Sequence, residues 1–116
     1  PELFRLQALE GADILTLPAA FLLMTGKDHW EPLIRARAIE NGCYMLACGQ
    51  CGKKPNAHMY GHSMIVDPWG RVIAMMGEEP GVAIAEIDFS YLEKARNQLY
   101  TLKNRKENVY TLKKAY

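Results

Sequence analysis

Residues 21–41 read FLLMTGKDHWEPLIRARAIEN, a polar loop running into an amphipathic helix, and the reading of that helix decides the fold. Asp28 is placed to cap the helix, with Glu31 three residues on in capping-box spacing, and both carboxylates suit the positive end of a helix dipole. Pro32 falls in the first turn, where a missing N–H is tolerated, and Gly42 supplies the stop. Trp30, Leu33, Ile34, Ala38 and Asn41 recur at three- and four-residue steps and mark one face, with Arg37 on or beside it. Glu31 and Arg35 form an i,i+4 pair on the flank. Two readings of Arg35, Arg37 and Glu40 stay open. They are solvated surface charges, or, with alanines interleaved between the arginines, they belong to a helix packed against a second copy of itself.

Working outward, the chain of 116 residues suits one domain. Its apolar fraction of 49% and charged fraction of 23% are those of a folded globular protein. A net charge of +1 gives no electrostatic footprint for nucleic acid or an anionic membrane, although residues 103–114 are locally basic. No apolar run approaches the roughly 20 residues of a membrane span. The expectation is a soluble, cytoplasmic protein. Upstream, PELFRLQALEG predicts a helix with Pro1 in its first turn and Gly11 at its C-terminal cap. A helix at the first residue, with no initiator Met, suggests a cut through a larger protein.

ADILTLP, ending at Pro18, reads as a buried strand, and residues 19–27 as the loop at its carboxyl end, where ligands are met in alternating helix and strand folds. Phe21, Met24 and Thr25 are candidate pocket-lining groups, with ordinary loop anchoring the alternative. CYMLACG reads as a strand covered on both faces, with Cys43 and Cys48 as small buried apolar residues. Residues 50–61 read as a polar loop. HSMIVDPWG and RVIAMMG predict two strands joined at the Asp67-Pro68-Trp69-Gly70 turn, with Trp69 over the hairpin end. VAIAEID is the last predicted strand. Ser90 and Glu93 predict a capping box for the closing helix, with Leu92, Ala95, Arg96 and Leu99 on one face. Residues 101–116, with Leu102, Val109, Tyr110, Leu112 and Tyr116 among lysines, predict an arm lying on another surface.

Cys48-Gly-Gln-Cys51, followed by His58 and His62, invites a redox or zinc reading. A redox pair belongs at a helix start, whereas Gly-Lys-Lys-Pro follows here, and the six-residue gap from Cys51 to His58 is short for a zinc finger. No metal site is therefore assigned. His29 is a candidate base whose position one turn into a helix equally suits a structural hydrogen bond. These residues assemble no nucleophile with its base and oxyanion donors.

PELF at the start, LPAAFLLMTGKDHWEPLIRARAIEN, YGHSMIVDPWG and AEIDFSYLEKAR resemble the carbon-nitrogen hydrolase, or nitrilase, superfamily. The likeness covers nearly the whole chain in order and is nearest the branch of small amidases acting on α-keto acid amides or deaminated glutathione. It implies an α/β fold, the C-terminal portion of an α-β-β-α sandwich, over residues 1–116 with 101–116 as an arm. It also implies a homo-oligomer paired through the predicted helices at residues 1–10 and 28–41, which begin at Pro1 and Asp28. The family's reaction uses a Glu base, a Lys and a Cys nucleophile on a small-molecule amide or nitrile, through a thioester and without cofactor. Those three residues belong upstream of Pro1, so no catalytic role falls on Cys43, Cys48 or Cys51. Ala19, Ala20, Phe21 and Thr25 match the family's pocket-side loop as substrate-binding residues. The implied protein is an enzyme part with no activity alone; the alternative is a dimerisation or interaction module derived from the same family.

Overall fold

The computed structural model describes residues 1–115; Tyr116, which the sequence places in the arm, lies outside the described residues. A mixed sheet of order β1-β2-β5-β6 carries the fold: β1 Ile14–Ala19, β2 Tyr44–Gly49, β5 Met64–Val66 and β6 Val72–Met75. β1 and β2 are parallel, with Ile14 opposite Tyr44 and Ala19 opposite Gly49. β2–β5 and β5–β6 are antiparallel. Helices α1 (Glu2–Leu9) and α3 (Glu31–Asn41) cover one face. There Ala8, Leu15, Trp30, Ile34, Ala38, Met45, Ala47, Met64 and Val66 form the buried core. The two-residue period of a strand explains the selection: Met45 and Ala47 face the helices, while Leu46 and Cys48 face away.

The helix at residues 28–41 proves longer. A short α2 (Leu23–Thr25) passes through a π-helical turn, Gly26–Trp30, directly into α3. Asp28 therefore sits inside a helical turn and caps nothing. Pro32 has no N–H to give to a carbonyl four residues back, and the wide turn ahead of it accommodates that loss. Gly26 is buried against Tyr60, whose ring occupies the space a Cβ would need. At the other end Gly42 adopts the left-handed conformation, φ 58°, and the Cys43 N–H donates to Ala38 O at 3.2 Å, closing the helix as expected. Leu33 leaves the predicted face and is 42% exposed, whereas Trp30, Ile34, Ala38 and Asn41 are buried. Arg37 pairs with Glu40, and Arg35 Nε donates to the Gly70 carbonyl at 2.8 Å.

Further corrections follow. Pro18 lies within β1 and is tolerated because β1 is an edge strand. Cys48 is exposed, on the sheet face that turns away from α1 and α3. Residues 50–61 form a hairpin, β3 Cys51–Lys54 and β4 Ala57–Tyr60, turned at Pro55 and Asn56. The closing helix α4 (Phe89–Gln98) is capped by Asp88, not Ser90: its carboxylate accepts from Ser90 N at 2.8 Å and Tyr91 N at 3.1 Å. VAIAEID runs extended without strand partners among the described residues. The turn at residues 67–70 forms as read, with Asp67 Oδ1 accepting from Trp69 N and Arg71 N, each at 2.9 Å; Trp69 is 37% exposed at its tip. Beyond α4, the chain returns to α1, where Lys114 Nζ lies 2.5 Å from Glu10.

Candidate active site

The carboxyl ends of the parallel pair β1 and β2 bring two segments together, residues 19–25 after β1 and the β3–β4 hairpin after β2. Backbone bonds fix them. Gln50 N donates to Ala19 O and Tyr60 N to Phe21 O, both at 2.9 Å, and Leu22 bridges Met59. Phe21 packs tilted on Trp30 with ring centroids 5.1 Å apart.

The turn out of the hairpin is backbone-strained. Gly61 has φ 70° and His62 φ 54°, a conformation that a β-carbon disfavours. Besides the hydrogen bond from its backbone N–H to Gly77 O at 3.0 Å, three contacts hold His62. Trp30 Nε1 donates to its carbonyl at 2.7 Å, its ring stacks on Tyr60 at 3.9 Å, and its Nδ1 lies 2.6 Å from Tyr60 O. A carbonyl only accepts, so that last contact puts the proton on Nδ1.

A cavity of about 410 Å³ opens beside the hairpin, lined among others by Gln50, Cys51, Lys54, Ser63, Met76 and Glu79. A second, of about 280 Å³, continues along the sheet past Cys48 and Met76 to Leu46, Ile65, Val82 and Ala83. Ser63 stands where they join, its Oγ accepting from Gly49 N at 2.9 Å.

Of the residues expected at the pocket, Ala19 and Phe21 are half-buried at the meeting of the two segments, and Ala20 is exposed. Thr25 turns its Oγ1 to Leu22 O at 3.2 Å, a helix-start contact, and none of the four lines either cavity. Met24 is 76% exposed. Gln50, Lys54, Ser63 and Glu79, which line the larger cavity, are not singled out by the sequence; the signal for Gln50 is its place just past β2, the same argument that points to the residues after β1. His29 is exposed, and His58 Nε2 lies 3.8 Å from Glu78.

The three cysteines are free and differ in setting. Cys43 is buried, its Sγ 3.1 Å from Ala12 O, and burial pushes its thiol pKa up despite the hydrogen bond from Arg96. It is an inert, protonated core group. Cys51 lies on β3 and Cys48 near the end of β2. Among the described residues no group of three or more His, Cys, Asp or Glu side chains is placed to hold a metal. Among the same residues, no helix is long and apolar enough to cross a membrane.

The profile of the carbon-nitrogen hydrolase family matches residues 1–97. The chain is 51% identical over 106 residues to a deaminated glutathione amidase of Synechocystis, a match covering 90% of this chain and 39% of that protein. It is 49% identical over 111 residues to the human protein of that name, covering 95% and 34%. The crystal structure of the Caenorhabditis elegans NitFhit protein superposes with a TM-score of 0.92 at 47% identity, covering 97% of this chain and 27% of that one. Saccharomyces cerevisiae Nit3, a nitrilase-superfamily member, superposes with a TM-score of 0.86 at 37% identity, covering 91% and 40%. The chain thus spans between a third and two fifths of the deaminated glutathione amidases it matches. With its mixed α/β fold matching nitrilase-fold structures and the profile running over most of its length, the chain belongs to the carbon-nitrogen hydrolase family.

Proposed function

We propose that this chain is the C-terminal part of an amidase-type hydrolase acting on the terminal amide, or nitrile, of a small molecule, with the deaminated glutathione amidases as a guide to substrate. In this reading the Glu base, the Lys and the Cys nucleophile come from outside these residues. The thiolate adds to the amide carbon, the tetrahedral intermediate expels ammonia, and water cleaves the thioester to the acid. Ala19, Ala20, Phe21 and Thr25 belong to the wall beside the reacting carbon, and no cofactor takes part. The protein is cytoplasmic and pairs with a second copy through α1 and α3.

The observation that carries the reading is the meeting of the post-β1 segment and the β3–β4 hairpin at the carboxyl ends of the parallel strands, within a chain whose family is carbon-nitrogen hydrolase. Among the three cysteines, Cys43 is the one bonded to a charged group, and its raised pKa disqualifies it as a nucleophile. Removing the nucleophile of a catalytic triad costs on the order of 10⁶ in rate. The purified chain should therefore show no turnover of ω-amides, read as ammonia release. Turnover, or a substrate thioester on Cys51, defeats the reading.

A second reading, a non-catalytic dimerisation module, draws on the apolar side chains that α1 and α3 leave in solvent, Leu3 at 66% and Leu33 at 42% exposure. It expects the chain to block assembly of a full-length relative, and unchanged assembly counts against it.

A further inference from the structure

The β3–β4 hairpin and the segment at residues 77–81 both border the cavity of about 410 Å³, and the two are tied together. His62 N donates to Gly77 O at 3.0 Å, Met76 N to Ser63 O at 2.8 Å, and His58 Nε2 lies 3.8 Å from Glu78. Two side chains of opposite charge line this space, Lys54 from the hairpin and Glu79 from the segment. Among the described residues neither joins an ion pair. The strand register distinguishes Lys54 from its neighbour: Lys54 lies opposite Ala57, whereas Lys53 lies opposite His58 and does not line the cavity. Gln50 is the third polar group, and its main chain is fixed on both sides. Its N–H donates to Ala19 O at 2.9 Å and its carbonyl accepts from Gly61 N at 3.0 Å, while its exposed side-chain amide offers both a donor and an acceptor. A cation, an anion and an amide thus surround a space within the roughly 300–1,000 Å³ of small-ligand sites.

We propose that this cavity takes the carboxyl-terminal end of a short acyl peptide, with Lys54 pairing the carboxylate, Glu79 accepting from the adjoining peptide N–H and Gln50 bonding the peptide group. This deepens the amidase reading and rests on it for the other end of the ligand, where the amide to be cleaved lies toward the residues after β1. The charge pattern selects among ligand classes. A compact dianion such as phosphate meets repulsion from Glu79, and an amine meets repulsion from Lys54. An apolar ligand would strip water from both charges and return no partner to either. A plain carboxylate satisfies Lys54 and brings no donor to Glu79. The last residue of a peptide carries an anionic acceptor and an N–H donor side by side, which answers both charges at once. Lys54 is then the specificity-determining residue for the tail, and it takes no part in the bond-breaking step.

The test is titration of N-acetyl-alanyl-glycine into the full chain labelled with ¹⁵N, read by amide chemical shifts. The expected result is saturable movement at Gln50, Lys54, Ser63 and Glu79, with half-saturation on the order of 1 mM. N-acetyl-alanyl-glycinamide, which lacks the negative charge, binds at least about tenfold more weakly, and Lys54→Glu loses at least as much. Lys53→Glu makes the same charge change on the same strand and binds as the wild type does. Glu79→Gln weakens the peptide acid and tightens propionate, each about threefold, because it removes both an anionic acceptor and a source of repulsion. The proposal is overturned if these residues do not shift, if the glycinamide binds as tightly as the acid, or if Lys53→Glu loses as much as Lys54→Glu. Propionate binding as tightly as the peptide overturns it too, leaving a carboxylate site without peptide selectivity. No hydrolysis enters this readout, so its failure strikes the tail subsite and leaves the amidase reading standing. Turnover by the chain, or a substrate thioester on Cys51, strikes that reading while tail binding stands.

Discussion

Trp30 Nε1 donates to the carbonyl of His62 at 2.7 Å, tying the π-helical turn to a residue held in the left-handed conformation. Trp30 is 1% exposed, so its indole N–H is satisfied by that carbonyl and not by water. Trp30→Phe removes the donor and leaves a void, at a cost of about 2 kcal/mol in urea unfolding. Hydrogen exchange should speed up at residues 57–63 before the rest of the chain. Wild-type stability in this variant contradicts the assignment.

Gly26→Ala separates two opposed effects. Alanine favours a helix interior over glycine by up to about 1 kcal/mol. The added Cβ meets the Tyr60 side chain, however, and overpacking costs about 1–3 kcal/mol. The collision should win, lowering the melting temperature, and Gly26→Ala with Tyr60→Ala should recover part of the loss. A more stable single variant would show that the hairpin yields freely.

Arg96 on α4 gathers the ends of several elements. It donates to Asp13 Oδ1 at 2.7 Å, to Gly42 O at 2.8 Å and to Ala12 O at 3.0 Å. Its side chain is 22% exposed but that of Asp13 is 42%, so solvent screening limits the charge contribution and the two carbonyl bonds carry most of the effect. Arg96→Ala should cost about 2 kcal/mol in urea, and Arg96→Lys should recover only a fraction, since an ammonium cannot fork between these acceptors. Full recovery by lysine would reduce the contact to a point charge.

The Asp88 carboxylate sits below its ordinary pKa, chiefly through the hydrogen bond from the Ser90 hydroxyl and then through that from the Tyr91 N–H. A depressed folded-state pKa contributes stability that is complete above the unfolded value, about 4, and is lost as pH falls through the lower folded value. α4 should therefore loosen in that acid window, seen as loss of helical signal. Asp88→Asn keeps the cap but flattens this part of the pH profile, whereas Asp88→Ala lowers stability at every pH. An unchanged acid limb in Asp88→Asn would place the titration elsewhere.

Iodoacetamide should alkylate Cys48, which is exposed, ahead of half-buried Cys51. Cys43 should react only on unfolding, because it is buried and its pKa is raised. Mass spectrometry of timed samples reads the order, and early labelling of Cys43 would contradict its place in the core.

Features with self-contained local chemistry were legible in the sequence. The Gly42 stop needs only a left-handed residue, and the 67–70 turn needs only Asp67 and the backbone that follows it. The helix starts were harder, because the capping-box spacings at Asp28/Glu31 and Ser90/Glu93 each point to a residue that the structure does not use as the cap. The helix that α2 and the π-helical turn extend upstream takes Asp28 into a turn, while Asp88 stays extended ahead of α4 and caps it. The β3–β4 hairpin escaped notice since its residues lack an alternating apolar pattern. Its pairing is secured from outside, by Phe21 O and the Leu22 bridge. Cys48 and residues 82–87 show the same limit in a different way: an apolar residue in a strand declares which face it occupies, while burial depends on whatever covers that face. At the site, the principle that ligands gather at carboxyl ends of parallel strands pointed to the loop after β1, whose expected residues line neither cavity. Applied equally to β2 it would have found Gln50 and the cavity beside Lys54.

β1 and β2 lie side by side in parallel, yet the chain between them must climb through α2, the π-helical turn and α3 before returning. Their ladder cannot begin to zip from a tight bend, as β5 and β6 can, since a helix has to be laid down and docked first. On a ribosome or in a refolding experiment, the 67–70 bend closes within microseconds, while Ile14 and Tyr44 wait for the crossover to bring them into register. The connection that sets the two mouth-forming segments next to each other should therefore also be the slow part of folding.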